Sequence, residues 1–165
     1  MISDARPAFA TIAGTFFRIM LARDSHRVLA GAAAPQGRYH HGGQAALYVS
    51  PRPEWAWKAV EPYVWPGDPA RAVLQIRIGT ARIVDIRDRA LCAALDIDPA
   101  HSDLPWEPQL ALGTQPATWG VSDRAREAGA DGLIYTARTA PTRWHLVLFR
   151  WNDGGGPAVD LAPRT

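Results

Sequence analysis

Cysteine is almost missing from this sequence: Cys92 is the only one in 165 residues. No intramolecular disulfide can form, and no paired-cysteine metal site can be built. Cys92 lies in an apolar stretch at residues 90–95, where a thiol reads as a small buried hydrophobe. Long hydrophobic runs are also lacking, and none is long enough to span a bilayer. The apolar stretch at residues 8–20 could suggest a secretion signal, but Asp4 precedes it, Arg18 interrupts it and no cleavage site follows. A cytoplasmic location is therefore expected, with no membrane partner. Nor is there an excess of one charge, since 18 basic and 16 acidic residues are spread along the chain for a net charge of +2. Such mixing argues against a dedicated nucleic-acid surface. The chain has no Gly-x-Gly-x-x-Gly and no Walker sequence, so neither common route to a nucleotide applies. It has no HExxH either, and Ser50 and Ser122 lack the Gly-x-Ser-x-Gly elbow of hydrolases, so no metal site and no serine triad is expected.

What is present points to one α+β domain. Hydrophobic residues make up 47% of the chain, enough for a single mixed core, and 14 Gly and 14 Pro are scattered between short apolar runs. Strands are expected at residues 16–20, 45–50, 72–78, 82–86, 132–135 and 145–151. Within residues 45–50, Tyr48 and Ser50 should share one face of a strand. Pro53 and Glu54 open a helix that Pro62 closes, and a second helix is expected near residues 89–95. The Pro- and Trp-rich stretch at residues 96–119 reads as an ordered loop. Ser122 and Asp123 offer N-cap chemistry for a helix running to residue 128, with Gly129 as its stop. The tail from Gly154 onward is expected to fray.

The chemistry concentrates in Gly37-Arg38-Tyr39-His40-His41-Gly42-Gly43-Gln44, directly followed by the strand that carries Tyr48 and Ser50. An arginine fork can clamp a pyrophosphate or a ribose, glycines let backbone approach phosphate oxygens, and a tyrosine ring can stack on nicotinamide. These residues suit a dinucleotide. On residue types alone, an alternative stays open in which Arg38 is a solvated loop cation, the histidines are surface residues and Tyr48 fills the core. His40 and His41 are adjacent, so in an extended chain they point to opposite sides and do not close on one metal. Trp55 and Trp57 suit helix packing, and are also candidates for a partner surface.

Three blocks taken together, GRYHHGGQAALYVS, GADGLIYTAR and HLVLFRWN, resemble the RES domain in order and spacing. The resemblance covers roughly residues 17–151. It is closest to the ParT-like branch of RES toxins, which pair with Xre and ParS-like antitoxins. It implies a single RES domain over residues 1–165 with a core at about 16–152, and a compact mixed-sheet fold of the ADP-ribosyltransferase type with flanking short helices. It also implies a toxin that uses NAD as substrate. Such a toxin would hydrolyse NAD, or transfer ADP-ribose to a protein acceptor such as phosphoribosyl pyrophosphate synthetase, and would form a hetero-oligomer with its antitoxin. On this resemblance the family arginine falls on Arg38, the strand tyrosine on Tyr48 and the early strand arginine on Arg18. Catalytic roles are then expected for Arg38, Tyr48, His40 and His41, and NAD contacts for Arg18, Arg38, Tyr39, Tyr48, Ser50, Tyr135 and Arg138. The family glutamate falls on Ala59 and the family serine on Ala137, so both side chains are absent here. Glu54 and Glu61 lie off the helical face of Ala59. A second expectation follows from this loss, namely a RES-fold protein that binds nucleotide or antitoxin without catalysing.

Overall fold

The computed structural model describes residues 8–162; Asp4, and the part of the C-terminal tail beyond residue 162, lie outside that range. The expected α+β class is the one observed: a six-stranded mixed sheet with short helices. The strands are β1 (Ala10–Leu21), β2 (Leu47–Val49), β3 (Arg71–Asp85), β4 (Gly132–Ala137), β5 (Ala140–Leu148) and β6 (Val159–Leu161). The helices are α1 (Pro53–Val60), α2 (Arg89–Ala94), α3 (Trp106–Ala111) and α4 (Ala117–Glu127). None of them is long and apolar enough to cross a membrane.

The strand order is β1-β3-β4-β5-β2, with β6 also paired to β3. Only β3 and β4 run parallel; the other pairs are antiparallel. The order then nearly closes on itself. Phe17 of β1 and Ser50, just after β2, exchange both backbone hydrogen bonds, at 2.7 and 2.8 Å. Alternation along the strands feeds two cores. Leu47, Ile134, Leu146 and Leu148 pack on one side with Phe16, Ile76 and Ile83. Leu133, Tyr135 and Val147 pack on the other with Val84, Leu91, Val121 and Phe149. Both sides of the central strands are covered, so their apolar runs are nearly continuous.

Several boundaries differ from those expected. β1 extends to Ala10 because it pairs with β3 from end to end apart from a register shift between Ile12 and Gly14, although residues 13–15 are exposed and show no alternation of buried and exposed side chains. β3 is one strand where two were expected; Gly79 does not break it, because its N–H bonds to Ala158 O and the ladder to β1 continues past it. Residues 96–119 are not a loop: they hold a 3-10 turn at Pro99–Asp103, all of α3 and the start of α4. α4 therefore begins five residues before Ser122. The Ser122 hydroxyl is turned back onto the carbonyls of Thr118 and Trp119, and Asp123 serves a tertiary contact instead of a cap. Gly129 does stop the helix, with φ 89°. β5 ends at Leu148, and Arg150 and Trp151 leave the sheet to bond Asp131 and Leu29 O. The tail is not frayed through residue 162, because β6 pairs with Ile76–Ile78 and Asn152 brackets Val159 with two side-chain hydrogen bonds. Pro53 and Glu54 open α1 as expected, and Cys92 is buried with its thiol pushed up to about 11 by desolvation.

Candidate active site

A cleft opens where β1 and β2 meet at the Phe17–Ser50 seam. Phe17, Arg18 and Ile19 of β1 form one wall; Tyr48, Val49 and Ser50 form the next, and Tyr135 and His145 the floor. Ala56, Ala59 and Val60 of α1 close it. Its volume is about 180 Å³. That is below the roughly 300–1,000 Å³ of sites that enclose a drug-sized ligand, so it suits one ring and part of a sugar.

Arg18 carries the charge of the cleft. One guanidinium nitrogen reaches Gly31 O at 3.5 Å, while Nη1 is buried with no partner among the described residues. Burial pulls Arg18 below its ordinary range. A buried donor without an acceptor is costly, and an incoming anion or hydroxyl would relieve it. Tyr48 offers a ring more than a hydroxyl. Its oxygen accepts from Tyr39 N at 3.0 Å and pairs with His40 Nδ1 at 2.7 Å, and burial raises the phenol well above its usual range. Tyr135 is likewise raised, first by burial. Its ring lies between Tyr39, at 4.7 Å, and His145, at 5.5 Å.

The sequence-predicted residues separate into three groups. Arg18, Tyr48, Ser50 and Tyr135 line the cleft together. Arg38 does not line it but stands behind its floor: the guanidinium lies 4.9 Å from the Tyr135 ring centroid and donates to Ser102 O at 2.5 Å, and its Nε is buried without a partner among the described residues. The remaining four sit away from the cleft. Tyr39 is fully buried and shares a 2.5 Å hydrogen bond with Ser102 Oγ. His40 is buried behind Tyr48, with its second nitrogen on Ala34 O at 2.9 Å, and burial lowers its pKa. His41 points the other way, stacks on Trp119 at 4.6 Å and pairs with Asp123 at 2.7 Å. Arg138 is exposed at the β4–β5 turn.

The Arg38 loop is held by one face of α4. Trp119, Asp123 and Arg126, spaced i, i+4 and i+7, bond Gly37 O, His41 with Gln44, and Tyr39 O with Ala45 O, respectively. Gly37 has to be glycine here, because a Cβ would lie 2.5 Å from the His40 ring. Sequence reasoning missed His145. It sits opposite Tyr135 in the β4–β5 ladder, and its Nδ1 is 2.7 Å from Ser50 Oγ. Burial, then the Arg143 and Arg38 charges, hold its imidazole down to about 4, so it is neutral at pH 7. A histidine directly ahead of the LVLF run was the available signal.

Among the described residues, the cleft lining includes no carboxylate. Ala59, where the RES resemblance puts a glutamate, does face it. A family model described as the RES domain matches residues 15–163. The chain belongs to the RES-domain family. No curated protein matches it in sequence. Among solved structures, this RES domain is similar to a chain in the crystal structure of the M. tuberculosis MbcT-MbcA toxin-antitoxin complex, at 13% identity. The TM-score is 0.58, and the alignment covers 94% of this chain and 84% of the other. At that identity the likeness is one of fold.

Proposed function

We propose that this RES domain is the toxin of a toxin–antitoxin pair and that its substrate is NAD, cleaved at the N-glycosidic bond. Three lines support the reading: RES-family membership, a fold shared with a chain of a toxin–antitoxin complex, and the chemistry of the cleft. The observation that carries it is the buried, unpartnered Nη1 of Arg18 in a cleft lined by the rings of Tyr48 and Tyr135. Those rings offer flat faces to nicotinamide, and Arg18 offers a fixed donor to a ribose or phosphate oxygen. Arg38, stacked on Tyr135, holds that floor in place and adds positive potential. The ADP-ribose goes to a protein acceptor, such as an enzyme of nucleotide synthesis of the phosphoribosyl pyrophosphate synthetase kind, or to water. Transfer is favoured over hydrolysis because the positions of the family glutamate and serine hold Ala59 and Ala137, which marks a modified site. In the cell the toxin is cytoplasmic and held in a hetero-oligomer by an Xre or ParS-like antitoxin. The test is nicotinamide release from NAD by purified protein, with Arg38→Ala and Arg18→Ala alongside. Release by wild type and its loss in both variants is expected; no release and no labelled acceptor from wild type would end the reading.

A second reading has its own observation. Ala59 faces the cleft where a carboxylate is missing, which favours a module that binds nucleotide or antitoxin without catalysis. Expression without a partner would then leave cells unharmed. Growth arrest that Arg38→Ala abolishes rejects it.

A further inference from the structure

The geometry points to His145, held by Ser50, as the acceptor that this cleft presents to a hydroxyl of the nicotinamide ribose, in place of the absent carboxylate. The inference rests on the NAD reading above and names a contact within it.

The pair is built into the fold from both sides. Ser50 is fixed by its two backbone hydrogen bonds to Phe17, and parity with Tyr48 aims its side chain at the cleft. His145 is fixed by its place opposite Tyr135 in the ladder, and the Tyr135 ring packs against it at an interplanar angle of 32°. Ser50 is 3% exposed and His145 is 4% exposed, so the 2.7 Å bond between them is shielded from water. That bond engages Nδ1 and leaves Nε2 as the ring nitrogen with no protein partner among the described residues.

Which nitrogen carries the proton follows from the surroundings. Arg18 shares the cleft, and Arg38 and Arg143 act on the ring by their charge; guanidinium groups only donate. A lone pair on Nε2 is the arrangement their field favours, so Nδ1–H donates to Ser50 Oγ and Nε2 accepts. A neutral imidazole nitrogen accepts a hydroxyl hydrogen bond, although more weakly than a charged carboxylate would. It brings no negative charge, so it orients the sugar and leaves the oxocarbenium-like state without a counter-ion. On this account His145 binds the sugar directly, Ser50 is the positioning residue that fixes its ring, and Arg18 donates to the same sugar or to the adjoining phosphate.

The test compares binding of NAD with binding of NAD lacking the 2′- or the 3′-hydroxyl of the nicotinamide ribose, followed by tryptophan quenching before turnover. Wild type is expected to prefer NAD over one of the two analogues by about tenfold. His145→Leu should erase that preference by weakening NAD alone, and His145→Gln, which keeps an acceptor, should restore part of it. Thermal melts check that each variant is folded; should His145→Leu not fold, Ser50→Ala, which frees the ring without removing it, is expected to reduce the preference. A preference left intact in folded His145→Leu, or in Ser50→Ala where that variant stands in, overturns the inference and leaves the NAD reading standing. No binding of NAD by wild type overturns the NAD reading itself, and this inference with it.

Discussion

His145 also makes a pH signature. In the unfolded chain its imidazole takes up a proton near 6.5, whereas the folded protein resists until about 4, so acidification favours unfolding. The stability linked to this group is complete above 6.5 and is lost progressively between 6.5 and 4, by at most about 3 kcal/mol. His40, lowered by its own burial, adds in the same direction. Urea denaturation at pH 7.5, 6 and 5 should therefore show falling stability, and His145→Gln should flatten the slope; an unchanged slope refutes the assignment. Tyr48→Phe separates ring from hydroxyl. It leaves Tyr39 N and His40 Nδ1 without their partner and should cost about 1–3 kcal/mol, with NAD binding nearly retained. Ala59→Glu sets a carboxylate at the cleft, and nicotinamide release should rise by about tenfold or more. Release that does not change would mean that the missing charge is not what limits the reaction.

Helix α4 controls the loop that presents Arg38. Asp123→Ala removes the grip on both His41 and Gln44, and amide hydrogen exchange should then quicken across residues 37–45 while the β-ladder stays protected. Sequence patterning found the strands that carry the cleft, because Leu47 and Val49 alternate with Tyr48 and Ser50 and the two faces meet different surroundings. It misplaced α4 for a physical reason. Ser122 and Asp123 are good capping residues, yet here both are spent mid-helix, one on its own helix backbone and one on a distant loop. The true start lies behind Pro116, with no side-chain cap to announce it. Gly132 was legible only as a strand residue. Val147 O lies against the position its Cβ would occupy, so Gly132→Ala should destabilise the protein by about 3 kcal/mol or more, measurable by thermal melting.

At the scale of the molecule, the sequence disclosed the α+β class and the family, because both rest on local blocks: the glycine-rich turn, the strand after it and the closing apolar run. Three features that depend on pairing between distant segments stayed hidden. One is the single long β3; another is the return of β6 to it. The third is the partnership of Ser50 with His145, which lie 95 positions apart. Truncation after Gly156 tests the second. It removes the buried Val159 and strips β3 of a partner strand, so a stability loss of about 2–4 kcal/mol is expected by denaturant titration. The near-closure of the sheet has a mechanical side. A single residue pair joins β1 to β2, whereas β1 and β3 are laced together along eleven partners. That edge of the ring rests on two backbone hydrogen bonds, so the Phe17 and Ser50 amides are expected to exchange with solvent sooner than those of the β1–β3 ladder.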